Sequence, residues 1–216
     1  STVRSSMNNK KDVILVGGFH EIIELCETCG KKIFGIIDKQ LGNRYFGYKI
    51  LGDDRAAFNL YKEFGNIPII ITPDIPKVRK RLSEYYLEIG FKFCNLIHPN
   101  ATVSKYAKIG KGVVIQSGVN ISANVAVEDF VKINTFANIM HDSQIGKYTT
   151  VAPNAVILGR VKISETCYIG SNCTILPEKE IGENAIVGAG AVVTRNVKEG
   201  STVIGVPARE MQKDKN

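Results

Sequence analysis

From Asn100 to about Asn196 the chain places an aliphatic residue at every sixth position. The series opens with Val103 and Ile109, runs through Ile139, Ile145 and Ile157 without a slip, and closes with Val187 and Val193, sixteen positions in all. Two residues before each, the side chain is Ala, Val, Ser, Thr or Cys, with Lys179 the exception, and Gly, Asn and polar residues fill most of the rest. A period of six fits neither an amphipathic helix, near 3.6, nor a simple alternating strand. It fits an all-β hexapeptide β-helix, in which each hexad forms one side of a triangular coil and the branched residue points inward. A β-sandwich would need turns at irregular spacing of about 8 to 12 residues. Sixteen hexads make a little over five coils, so that residues 18 apart stack and the prism stands about 25 Å tall. Such a prism has little interior beyond its aliphatic stack, and an active site has to lie on its surface or between copies.

The pattern before Asn100 is different. Lys11 to Val16 predicts a short buried strand ended by Gly17-Gly18, and Phe19 to Cys29 a helix stopped by Gly30. Ile33 to Ile37 is a second strand ending at Asp38. After a Gly-rich connection, Asp53 or Asp54 caps a helix running to Phe64. Ile67 to Thr72 is a third strand, Pro73 to Ile89 a helix, and Phe91 to Ile97 a fourth strand. Strands alternating with helices predict a small Rossmann-like parallel α/β sheet. The predicted organisation is therefore an α/β domain over 11–98, a β-helix over 99–198 with the junction near His98-Pro99, and a C-terminal extension over 199–216. Ser1 to Ser6 precede Met7 and read as an expression remnant, with 1–10 a disordered start.

Composition narrows the function classes. Hydrophobic residues make up 44 % of the 216, enough to bury a core. No apolar run approaches the ~18 residues needed to span a membrane, and no secretory signal is evident. Five scattered cysteines do not make a disulfide framework, which points to the cytoplasm. Cys26 and Cys29 form an unpaired Cys-x-x-Cys, read as small residues on the first helix; Cys167 and Cys173 fall on small-residue positions of the repeat, a packing role. The net charge of +7 suggests anionic partners. The basic residues are spread out, however, and the densest run, Lys77, Arg79, Lys80 and Arg81, reads as the solvated face of a helix. Polyphosphate small molecules account for the charge as well as nucleic acid does.

The chain has three histidines, His20, His98 and His141. His141 follows Ile139 by two residues, so it should stand at a corner of the coil, and Asp142 is next to it. A histidine with an adjacent carboxylate can act as a general base near neutral pH. A plain surface histidine fits the same spacing. The residues stacked on it, Ala123 and Gly159, offer no second metal ligand, which argues against a metal site. In the first domain, Gly17, Gly18 and His20 stand at one carboxyl strand end and Asp38 at the next, where parallel α/β sheets bind ligands. The full G-x-G-x-x-G of a dinucleotide site is absent.

Asn134-Thr135, His141-Asp142, Ile145-Gly146, Ala152-Pro153 and the closing Gly205-Val206-Pro207-Ala208-Arg209 resemble the hexapeptide acyltransferases that acetylate sugars. With the α/β domain, the Leu96-Ile97-His98-Pro99-Asn100-Ala101 junction and an all-β left-handed parallel β-helix, nearly all of residues 11 to 211 resembles a narrower group: the sialic acid O-acetyltransferase-like proteins and the nucleotide-activated 4-amino-sugar N-acetyltransferases of bacillosamine and perosamine type. The resemblance implies His141 as general base, Asp142 as its acidic partner and Asn134 near the acceptor amine. It implies Gly159 as the oxyanion N–H donor, also lining the cofactor, and Gly188, Ala189 and Gly190 along the pantetheine and nucleotide of acetyl-CoA, a co-substrate used without metal. Gly18, His20, Asp38 and Thr72 match the nucleotide-sugar pocket. Two departures stand out. Thr150 replaces a common second histidine, and the amino-terminal loop is shortened, with Thr72-Pro73-Asp74 where a Gly-Asn pair is common. The implied activity is acetyl transfer to the 4-amine of a nucleotide-linked 4-amino-4,6-dideoxy sugar, UDP-linked as the first expectation, by a cytoplasmic homotrimer with no nucleic-acid or membrane partner. O-acetylation of a sialic acid and a non-catalytic nucleotide-sugar scaffold are the alternatives.

Overall fold

A computed structural model describes residues 12–211, and the expectations for 1–10 and for the last residues of the extension lie outside that range. Two compact units emerge. The described residues up to Pro73, with Arg81–Leu96, form one; Asp74–Lys80 and Ile97 onward form the other.

The first unit is a parallel sheet finished by a hairpin. Strand β1 (Asp12–Val16) is buried along its whole length, as expected of a strand covered on both faces. It leads through Gly17 into α1 (His20–Thr28), and β2 (Lys32–Ile37) returns alongside β1. The stretch read as a Gly-rich connection is instead a hairpin of β3 (Arg44–Tyr45) and β4 (Tyr48–Gly52) around Phe46-Gly47, both at positive φ. Strand β4 then pairs parallel with β2. Asp53 caps a short 3-10 turn, Asp54–Ala56, by accepting the Arg55 N–H, and α2 (Ala57–Phe64) follows. Strand β5 (Ile69–Ile71) completes the order β3-β4-β2-β1-β5. The fourth strand expected at Phe91 to Ile97 shrinks to a bridge between Phe93 and Ile69 and the pair Leu96–Ile97. Tyr86, on α3 (Pro76–Ile89), is fully buried; burial and its hydrogen bond to Asp54 Oδ1 at 2.8 Å push its phenol up.

In the second unit the six-residue period becomes a parallel β-helix of two-residue strands on three faces, each pairing with the strand 18 residues on. Ile139, Ile145, Val151 and Ile157 are 0 % exposed and form the central stack, with Cys167 and Cys173 buried at small-residue positions as predicted. Burial pushes those two thiols up, to about 11 and about 12. The corners explain the sharp turns. From Gly112 through Asn124, Phe130, Asp142, Tyr148 and Arg160 to Gly190, one residue per hexad lies in the left-handed region. A non-glycine residue is uncommon there and is held by the coil, whose corner amides bond to the coil before.

The segment Asp74–Lys80 belongs to this coil. Arg79 is 1 % exposed, and its guanidinium donates to the carbonyls of Phe130 (2.8 Å), Tyr148 (2.6 Å) and Asp74 (3.1 Å) and to Thr150 Oγ1 (2.8 Å). Burial draws its proton affinity down, to about 10, with Asp74 opposing, so the group stays cationic at neutral pH. Phe130 and Tyr148, one coil apart, stack with centroids 5.6 Å apart. Lys80 bonds Glu165 at 2.7 Å. The basic run read as a solvated face is thus corrected: Arg79 caps open corner carbonyls, which need a donor with several N–H groups.

Candidate active site

His141 stands at the corner between the strands Asn138–Ile139 and Gln144–Ile145. Its successor Asp142 is the left-handed residue of that corner, φ 61, and the turn brings the two side chains together: His141 Nδ1 lies 2.8 Å from Asp142 Oδ2. Asn124, one coil earlier, donates its amide N–H to Asp142 Oδ1 at 3.2 Å. The bonds to His141 and then Asn124 hold the Asp142 carboxyl below the usual carboxylate range. A carboxylate on Nδ1 favours the tautomer with the proton there and leaves Nε2 as an acceptor. Nε2 points at Gly159: a Cβ added at Gly159 would sit 2.7 Å from Nε2 and 2.7 Å from Cε1. A side chain here would push the ring aside, a constraint set by the ring's position rather than by backbone conformation. The Gly159 N–H meets no acceptor among the described residues. His141, Asp142 and Gly159, singled out in the sequence, are brought together. Asn124 was missed, although its place 18 residues before Asp142 marks it as a stacked neighbour.

Asn134 stands at the other end of the same strand, at the corner after Lys132–Ile133. Its Nδ2 donates to the Val151 carbonyl at 3.2 Å and reaches Asp74 Oδ1 at 3.5 Å. Gly188, Ala189 and Gly190 occupy this corner's column too, since successive amide bonds link Asn134 to Val151, Ala152 to Ile169 and Gly170 to Val187. Ala189 is exposed, and nothing lies within 4 Å of where a Cβ would stand on Gly190. One chain therefore divides its sequence-marked coil residues between two neighbouring corners: His141, Asp142 and Gly159 on one, Asn134 and Gly188 to Gly190 on the other. Thr150 belongs to neither group. Its side chain is fully buried, donating to the Asp74 carbonyl at 2.6 Å and accepting from Arg79.

In the first unit, Gly18, His20 and Asp38 gather at the carboxyl ends of β1 and β2. Asp38 accepts from the Gly18 N–H and the Gln40 N–H, both at 2.8 Å, and so ties the two loops. Thr72 is buried, with its hydroxyl 3.0 Å from the Val16 carbonyl and 2.8 Å from that of Gly17. His20 is exposed, stacked on Phe46 with centroids 5.8 Å apart, and 3.5 Å from Tyr45 Oη. An open cavity of 340 Å³ beside them is lined by Asp38, Lys39, Asn43, Leu51, Gly52 and Asp53. Hydrogen bonds from Arg55 hold the Asp53 carboxyl below its usual range. The hairpin residues Asn43, Tyr45 and Phe46 were not anticipated, because their loop gave no periodic signal. No cluster of three metal-ligating side chains occurs among the described residues, and no helix there is long and apolar enough to cross a membrane.

Residues 124–159 and 160–195 match the family model "Bacterial transferase hexapeptide (six repeats)". GDP-perosamine N-acetyltransferase of Escherichia coli O157:H7 is 35 % identical over 135 residues, 61 % of this chain and 59 % of that enzyme, so the match spans less than two thirds of its length. A histidine variant of perosamine N-acetyltransferase from Caulobacter crescentus, solved in complex with CoA and GDP-perosamine, is 30 % identical. That structure is matched over 95 % of this chain and 99 % of its own, with a TM-score of 0.89. The acetyltransferase domain of PglB from Neisseria gonorrhoeae, in complex with acetyl coenzyme A, is 28 % identical over 94 % of this chain and 100 % of that one, TM-score 0.87. A histidine paired with a carboxylate at a coil corner, an α/β unit with an open polar cavity and these likenesses converge: the chain belongs to the hexapeptide-repeat acetyltransferases of the perosamine and bacillosamine type.

Proposed function

We propose that this protein moves the acetyl group of acetyl-CoA onto the 4-amine of a nucleotide-linked 4-amino-4,6-dideoxy sugar. The observation that carries the reading is the His141–Asp142 pair packed on Gly159. The amine nitrogen attacks the thioester carbonyl while His141 Nε2 takes the amine proton. The Gly159 N–H donates to the oxyanion, and collapse expels the CoA thiolate, which recovers the proton. Asp142 keeps its negative charge throughout and steadies the imidazolium. Gly188, Ala189 and Gly190 hold the pantetheine and nucleotide of CoA, consistent with an exposed Ala189 and open space at Gly190. Gly18, His20 and Asp38 hold the nucleotide of the sugar; Thr72 shapes that loop through its bonds to Val16 and Gly17.

The working form in this proposal is a homotrimer in the cytoplasm. Closed three-fold symmetry lets the His141 corner of one copy face the Asn134 corner of the next, which joins two half-sites that a single chain keeps apart. The buried hydrogen bonds of Thr150 give that residue a packing role and remove the main argument for a non-catalytic scaffold. UDP was the expected nucleotide. The likeness to GDP-perosamine N-acetyltransferases supports testing GDP first.

The test mixes the purified protein with acetyl-CoA and follows thiol release with GDP- and UDP-linked 4-amino sugars and with sialic acids. Release with an amino sugar is the expected result. Release with sialic acids alone overturns the amine assignment in favour of O-acetylation.

A further inference from the structure

Asp74 is a carboxylate with an elaborate support for a residue near the surface. Its backbone carbonyl is bonded by Thr150 Oγ1 and Arg79 Nη1, both on buried side chains. Its Oδ1 lies 2.9 Å from Lys132 Nζ, on a side chain 1 % exposed, while the Asp74 side chain itself is 45 % exposed. The same Oδ1 is 3.5 Å from Asn134 Nδ2. A buried lysine needs a counter-charge, and that alone accounts for a carboxylate here. It does not account for the carboxylate's exposure, nor for its position beside Asn134.

The two partners of Asn134 Nδ2, the Val151 carbonyl and Asp74 Oδ1, can only accept, so the amide has one orientation. Its Oδ1 is left as the acceptor end. An amide oxygen next to an exposed carboxylate suits a donor that carries positive charge, and an amino sugar in neutral water is largely its ammonium form, which gives up one proton to solvent before the free amine attacks and the second to His141. A hydroxyl acceptor gains the hydrogen bond but not the charge attraction.

Resting on the acetyl-transfer reading above, we propose that Asp74 is a positioning and specificity residue. It fixes the Asn134 amide with Oδ1 toward the acceptor and draws amines to the site in preference to hydroxyls.

Steady-state kinetics of Asp74→Asn test this, with the amino sugar, its 4-hydroxy counterpart and acetyl-CoA varied in turn. The expected result is a KM for the amino sugar raised about tenfold, the loss that goes with one charge-assisted contact, with the KM for acetyl-CoA within about twofold of the parent. The preference for amine over hydroxyl falls by the same factor. Because Asp74→Asn takes a carboxylate away from the buried Lys132 ammonium, the double variant Asp74→Asn with Lys132→Met is measured beside it. Thermal stability recovers in the double variant, while the amino-sugar KM stays raised. An amino-sugar KM that is unchanged in Asp74→Asn, or that recovers together with stability, leaves Asp74 as a counter-ion and overturns the proposal. A parent protein that acetylates hydroxyl acceptors only, or none, overturns the functional reading and this assignment together.

Discussion

The Nε2 face of His141 occupies the space where any side chain on Gly159 would stand, one coil away. Ring and glycine are therefore a matched pair, the ring filling the space that the absent side chain leaves open.

Gly159→Ala tests that pairing. The φ of Gly159 lies outside the left-handed region, so alanine adds no backbone strain there. The methyl group displaces the imidazole instead. Turnover falls about 100-fold, the order expected when a reacting group moves by about 1 Å, while the melting temperature stays within a few degrees of the parent. An alanine variant with parental turnover refutes the close approach as a functional constraint.

Asp142→Asn addresses the carboxylate. The hydrogen bonds from His141 and Asn124 keep the Asp142 carboxyl below its usual range, so it remains ionised well into acid and stabilises the imidazolium throughout the working range. Removing the anion leaves the imidazolium that forms during proton abstraction without its counter-charge, and turnover falls about 100-fold. The depressed carboxyl also stabilises the folded corner above about pH 4, and that contribution disappears as pH falls through its folded value. Parental turnover in the variant contradicts the role assigned to Asp142.

Shared sites have a genetic signature. If the proposed trimer forms, co-expressed His141→Ala and Asn134→Ala chains mix in it, and some interfaces combine an intact His141 from one copy with an intact Asn134 from its neighbour. Random mixing restores about a quarter of the sites, whereas each variant alone is nearly inactive. Activity that never exceeds the average of the two variants contradicts a site made by two copies.

How far the sequence alone carries the description depends on the range of the interactions. The coil is legible because its register repeats every six residues, and the same register fixes His141 at a corner with Gly159 stacked on it. The pairing of Asp142 with His141 is legible because the residues are adjacent. The hairpin Arg44 to Gly52 is not: its two strands are short, and Gly42, Gly47 and Gly52 suggest a connection. Nor does the local pattern of Asp74 to Lys80 betray its place on the coil. Arg79 is buried because carbonyls 51 and 69 residues away leave acceptors that its guanidinium satisfies, and a helix-period reading sees only a charged run. Thr150 is intelligible for the same reason: read alone it is a missing histidine, and beside Arg79 and Asp74 it is a hydrogen-bonded packing residue.

The most direct test of the central claim is the turnover of His141→Ala on an accepted amino-sugar substrate, with assembly checked by sedimentation. The account predicts a loss of at least ~100-fold with the oligomer intact, in line with general-base contributions. A correctly assembled variant as active as the parent would remove His141 from the mechanism and with it the reading built on that corner.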